Sequence, residues 1–177
     1  PPATLNALAW WGSLDGAALA VDFAGAFQGG PLSAEVRRAN GTAPFKVHYR
    51  AERVDSTEMT RRMVINGFPG LDVGDGPITL DETLTIDPAS DTPPPSVGEL
   101  IVEGGVVSGA AAPKWVTRVF PGLQLARFKF SWMHNWYTRD ASGRTTNRII
   151  FRGSPWSMYM NGWSQLDGKV CYEIGVD

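Results

Sequence analysis

The stretch Arg127-Phe128-Lys129-Phe130-Ser131-Trp132 alternates a polar residue with an aromatic one. Side chains along a β-strand point to opposite faces in turn, so this rhythm gives one aromatic face and one wet face. The same period appears in Phe45-Lys46-Val47-His48-Tyr49-Arg50, in Leu19-Ala20-Val21-Asp22-Phe23-Ala24 and in Lys169 to Val176. Further strands are predicted at Leu32–Arg38, Met59–Ile65, Ile78–Ile86, Leu100–Val107, Trp115–Phe120 and Asn147–Phe151. Turn residues separate them, among them Gly29-Gly30-Pro31, Asn40-Gly41, Ser142-Gly143 and Asp167-Gly168. Short helices are predicted only at Pro2 to Trp10 and Ser56 to Met63. Many short strands at regular spacing predict an all-β fold, an antiparallel β-sandwich of jelly-roll type.

The 177 residues suit one domain, and Pro88 to Gly98, with Pro93-Pro94-Pro95, reads as a surface loop within it rather than a linker. At 43% hydrophobic the chain is too apolar for disorder, yet no apolar run reaches the length of a membrane span. The lone Cys171 excludes an internal disulfide. A chain starting at Pro1 reads as a processed product or a fragment. The sequon Asn40-Gly41-Thr42 reads as a turn that matches by chance.

Charge is segregated. Asp55 to Asp91 carries eight acidic residues against Arg61 and Arg62, whereas Lys114 to Arg152 carries eight basic residues against Asp140. Such blocks suit complementary contacts between elements or between copies.

The vocabulary of catalysis is thin. His48 falls on the polar face of its strand, and His134 lies among aromatics, neither with metal-pair spacing. No nucleophile elbow, P-loop or dinucleotide-binding glycine pattern occurs. Asp81-Glu82 are adjacent and so point to opposite faces. Glu35, Glu52, Glu99 and Glu173 are scattered along the chain. Asp72 and Asp75 offer carboxylates for Ca²⁺, but an acidic turn explains them as well. No catalytic residue, metal or cofactor is therefore assigned.

Five of the seven tryptophans lie between Trp115 and Trp163, interleaved with arginines. Phe128, Phe130 and Trp132 read as core. Outside that alternation, Trp136, Tyr137, Arg139, Arg144, Arg148, Arg152, Trp156 and Trp163 are the candidate contact residues. Rings and guanidinium groups in this mixture serve a protein interface, single-stranded nucleic acid or a glycan.

Trp11-Gly12-Ser13-Leu14, the strand around Leu19, Val21 and Phe23, and Gly29-Gly30-Pro31-Leu32-Ser33-Ala34-Glu35-Val36 together resemble a stretch of the coat proteins of picorna-like viruses. The alternating Gly168 to Asp177 resembles the final strand of those jelly rolls. Plant picorna-like viruses, whose coats are cut from a polyprotein, fit a chain without an initiator Met. The resemblance implies a non-enzymatic virion subunit. It would tile with copies of itself and sister coat domains around an RNA genome, formed in the host cytoplasm. The alternative reading is a carbohydrate-binding β-sandwich module stacking sugars on Trp136, Tyr137, Trp156 and Trp163. A third is a glycoside-processing enzyme on the same architecture.

Overall fold

The computed structural model describes residues 5–55, 71–72, 76–108 and 127–177. They form twelve strands: β1 (Leu5–Asp15), β2 (Ala18–Phe27), β3 (Gly30–Arg38), β4 (Phe45–Val54), β5 (Leu71–Asp72), β6 (Ile78–Ile86), β7 (Ser96–Val102), β8 (Gly105–Ser108), β9 (Arg127–Arg139), β10 (Thr145–Gly153), β11 (Ser157–Ser164) and β12 (Val170–Val176). All lie in one sheet, in the order β1-β2-β3-β4-β6-β7-β9-β10-β11-β12, with β5 paired to β8 and β8 to β9. Each pairing is antiparallel. Among the described residues no helix is long and apolar enough to cross a membrane.

The all-β, antiparallel class expected from the sequence is the architecture found, in keeping with a β-sandwich. The connectivity differs from the expected jelly roll. That fold needs Greek-key crossovers, whereas here the described strands follow chain order as a meander. Between β2 and β3 a tight turn sets this order. Phe27 pairs with Gly30, leaving Gln28-Gly29 as a two-residue loop with φ of 46° and 80°. Two positive φ values are the signature of a type I′ hairpin, which lays each strand beside its predecessor.

Register divides the sheet into two faces. On the inner face Leu32, Ala51, Leu80, Leu100, Asn135, Ile149, Met160 and Ile174 form one row across eight strands. The buried core comprises Ala51, Val54, Ile78, Val102, Phe130, Met133, Ile149, Phe151, Met158 and Met160. Phe130 meets Phe151 edge-to-face, centroids 5.3 Å apart. Fully burying a side chain of this size contributes about 1.5–3 kcal/mol.

Two bulges reset the alternation. In β4 the pairing steps from Ala51–Leu80 to Val54–Ile78, with Arg53 at φ 49°, which turns Val54 fully inward. In β9 the partners change from Phe130–Gly153 to Trp132–Arg152. Phe130 therefore stays in the core while Trp132 turns outward, so the predicted single aromatic face of Phe128, Phe130 and Trp132 is broken at Ser131.

Other elements depart from expectation. The helix predicted at Pro2 to Trp10 is strand from Leu5 onward. Leu100–Val107 is two strands, split at Gly104 with φ 89°, and β7 and β8 pair with successive parts of β9. Ser157–Ser164 is an additional strand. Pro88 to Gly98 spans the connection between the paired strands β6 and β7 and the start of β7. The helix at Ser56 to Met63 and the strands at Met59–Ile65 and Trp115–Phe120 lie outside the described residues.

Candidate functional site

The inner face carries a polar seam within its apolar surface. Register places Tyr49, Glu82, Gly98, Tyr137, Asn147, Gly162 and Tyr172 in one row from β4 to β12. Glu82 is only 6% exposed. The Tyr49 hydroxyl donates to Glu82 Oε2. Tyr137 leans across Gly98 and also hydrogen-bonds Glu82. Arg139 Nη2 lies 3.7 Å from Glu82 Oε1, and its Nε donates to the Pro94 carbonyl. Burial first, then the Glu82 carboxylate, pushes both phenols well above their ordinary range, so they remain protonated donors. A second chain runs from Asn135 Nδ2 to Asn147 Oδ1 at 3.0 Å and from Asn147 Nδ2 to the Tyr172 hydroxyl at 2.9 Å. Buried Ser96 Oγ and Asn135 Oδ1 have no hydrogen-bond partner among the described residues.

The outer face splits into two halves of different electrostatic character. On β2–β7 the arginines are paired: Arg37 with Asp22 and Glu35, Arg50 with Glu52 and Asp81, Arg53 with Glu103. Asp81 and Glu99 stand directly opposite each other. This like-charge juxtaposition is offset because His48 Nε2 lies 2.8 Å from Asp81 and His134 Nε2 lies 2.7 Å from Glu99.

On β9–β11 the partners of the arginines are rings. Arg152 lies over Trp132 at 5.3 Å, Arg148 over Trp136 at 5.9 Å and Arg144 over Trp163 at 4.3 Å. The first two pairs are direct cross-strand neighbours. His134 stacks on Trp136 with centroids 3.6 Å apart and meets Trp132 edge-on, so one strand holds three rings in a column. Arg144 enters this face from the β9–β10 turn. There Asp140 Oδ1 accepts from Ser142 N, Ser142 Oγ and Arg144 N. Those bonds, the Ser142 hydroxyl foremost, lower the Asp140 pKa and keep it an acceptor.

The eight candidate contact residues thus separate. Trp136, Arg144, Arg148, Arg152 and Trp163 share the outer face, with Trp132 beside them. Tyr137 and Arg139 point to the inner face and join the Glu82 seam. Trp156 sits exposed in the β10–β11 turn. The carbohydrate-stacking set of Trp136, Tyr137, Trp156 and Trp163 therefore does not share one face. Sequence reasoning missed Trp132 and Glu82 as site residues. Their only signal is cross-strand register, which a single strand's pattern does not carry.

Asp81 and Glu82 occupy opposite faces, as adjacency requires. Among the described residues no group of three or more His, Cys, Asp or Glu is placed to hold a metal ion. Asp75 and the Asp72 side chain lie outside the described residues. Asn40 Oδ1 accepts from Thr42 N, Thr42 Oγ1 and Ala43 N, which makes the sequon an Asx turn. Cys171 is exposed on β12.

The sheet ends in two open edges among the described residues, β1 and β12. From Leu5 to Leu14 the β1 edge holds no charged residue and no proline. Trp10 is 70%, Trp11 56% and Leu14 72% exposed. On β12, Val170, Ile174 and Val176 are exposed. No family model matches the chain, and neither does any curated protein or solved structure.

Proposed function

We propose that the chain is a structural subunit that assembles with copies of itself through the open edges of its sheet, the task of a virion coat subunit. The observation that carries this reading is β1: a long edge strand, uncharged from Leu5 to Leu14, presenting two exposed tryptophans. Edge strands are templates for pairing with another chain, and they are usually blunted by Lys, Pro, inward charges or short length. β1 has a bulge between Asn6 and Ala9, but its following residues, Ala9 to Asp15, pair regularly with β2 and have no second partner strand among the described residues. The stretches that resemble coat proteins fall on β1–β3 and on β12, the two ends of the sheet.

Joining β1 of one copy to β12 of the next is a head-to-tail contact. Such contacts close into rings or shells when the rotation permits and otherwise run on as filaments. Each backbone hydrogen bond in the new ladder adds about 0.5–1.5 kcal/mol net, and tryptophans are among the residues most enriched at such contacts. Sedimentation velocity of the chain at micromolar concentration tests the reading. The wild type is expected to sediment as assemblies, and Trp11→Lys/Leu14→Lys as a folded monomer. A monomeric wild type, or assemblies indifferent to both lysines, removes the support.

A further inference from the structure

The outer face of β9–β11 differs from the outer face of β2–β7 in what its arginines do. Arg37, Arg50 and Arg53 are neutralised by carboxylates. Arg144, Arg148 and Arg152 form no ion pair among the described residues, and all three are exposed. Each lies over a tryptophan ring, which orders the guanidinium group without satisfying its donors. Positive charge held in place yet unneutralised is suited to a phosphate.

The surrounding side chains refine the ligand. Trp132, His134 and Trp136 stand in line on β9, with successive ring centroids 5.3 Å and 3.6 Å apart. Trp163 stands two strands away, beyond the exposed Thr138–Thr146 pair. Of the nearby carboxylates, Asp140 accepts from the Arg144 backbone N–H and attracts its guanidinium group without an ion-pair contact, Glu99 is engaged by His134, and Glu173 lies past Asn161 at the sheet edge. An antiparallel sheet with rings and arginines gathered on one face matches what single-stranded nucleic acid requires: stacking surface for bases and cations for the backbone. We propose that this face binds single-stranded nucleic acid, with Arg144, Arg148 and Arg152 on phosphates and Trp132, Trp136 and Trp163 against bases. The inference is independent of edge assembly, because it uses the face of the sheet and leaves both edges free.

The test is fluorescence anisotropy of a labelled oligo(U) of twelve nucleotides, titrated with wild-type chain and with the edge variant Trp11→Lys/Leu14→Lys. Equal binding by both separates this site from assembly. Three phosphate contacts predict a slope of log affinity against log salt near −2, so raising NaCl from about 50 to 200 mM weakens binding roughly 18-fold. Arg144→Gln/Arg148→Gln/Arg152→Gln is expected to abolish that slope. The charge-matched Arg37→Gln/Arg50→Gln/Arg53→Gln is expected to keep it, with circular dichroism verifying the fold of each. Trp136→Leu is expected to weaken binding about tenfold, the scale of one lost base stack. Failure to bind oligo(U) at 50 mM salt overturns the proposal. So does equal loss in the two arginine triples, or competition by polyphosphate as effective as by unlabelled oligo(U). Salt-insensitive, Trp136-dependent retention on neutral glycans overturns it in favour of a sugar-stacking face.

Discussion

Replacing Glu82 with glutamine should destabilise the protein far more than a shape-conserving change usually does. The carboxylate accepts from the Tyr49 and Tyr137 hydroxyls and faces Arg139, all on the inner side of the sheet. Glutamine offers one neutral acceptor oxygen and one donor-only amide, so one phenol loses its acceptor and the other keeps only an uncharged one. A hydrogen bond to a charged group contributes about 1.5–3 kcal/mol. Arg139 is 29% exposed and partly hydrated, so the lost attraction adds only about 0–1 kcal/mol. The sum is about 1.5–4 kcal/mol, and with a urea dependence near 2 kcal/mol/M the unfolding midpoint should fall by roughly 0.8–2 M. Tyr49→Phe should cost less in the Glu82→Gln background than in wild type, with a coupling of at least about 0.5 kcal/mol. A midpoint shift below about 0.3 M, or strict additivity, would refute the reasoning that these groups act as one network.

Two further outcomes follow from the same row. Both phenols are raised above the ordinary value of 10.0, so the unfolded chain releases those protons first as the pH climbs past 10. The native state keeps them, so stability is intact below pH 10 and declines above it. Urea midpoints at about pH 8, 10 and 11 should show this fall, and Tyr49→Phe/Tyr137→Phe should flatten it; an unchanged profile in the double variant contradicts the assignment. Gly98→Ala would place a methyl 2.6 Å from the Asp81 carbonyl and 2.8 Å from the Tyr137 hydroxyl, driving the tyrosine off Glu82. A cost of about 1–3 kcal/mol should lower Tm by roughly 2–12 °C, and an unaltered melting curve would show that Tyr137 has room to move.

Strands β2, β3, β4, β6, β10 and β12 were legible because apolar and polar residues alternate along them. β1 was not. Ala7-Leu8-Ala9-Trp10-Trp11 is apolar on both sides, a pattern a helix shares with an edge strand. β11 hid for a similar reason: Met158 and Met160 face inward while Tyr159 and Trp163 face outward, so hydropathy does not alternate. The bulges at Arg53 and Ser131 were illegible because an extra residue is defined only against the partner strand. The aromatic-arginine strip was readable from composition, but its division between two faces was not. Tyr137 and Trp136 are chain neighbours with opposite fates. The Glu82 seam gave no signal at all, since Tyr49 and Glu82 are 33 residues apart and the row assembles only through register.

A sheet whose spatial order repeats its chain order has a consequence for how it is made. With β5 and β8 set aside, each new strand pairs with the strand before it on the path, so loop closure stays inexpensive and most pairings are local, the regime in which β-proteins fold faster. β1 to β4 can zip as successive hairpins before β9 has left the ribosome. The growing edge at each stage is the one the next strand will cover. Among the described strands, β1 and β12 are the two whose outer edges no later strand covers.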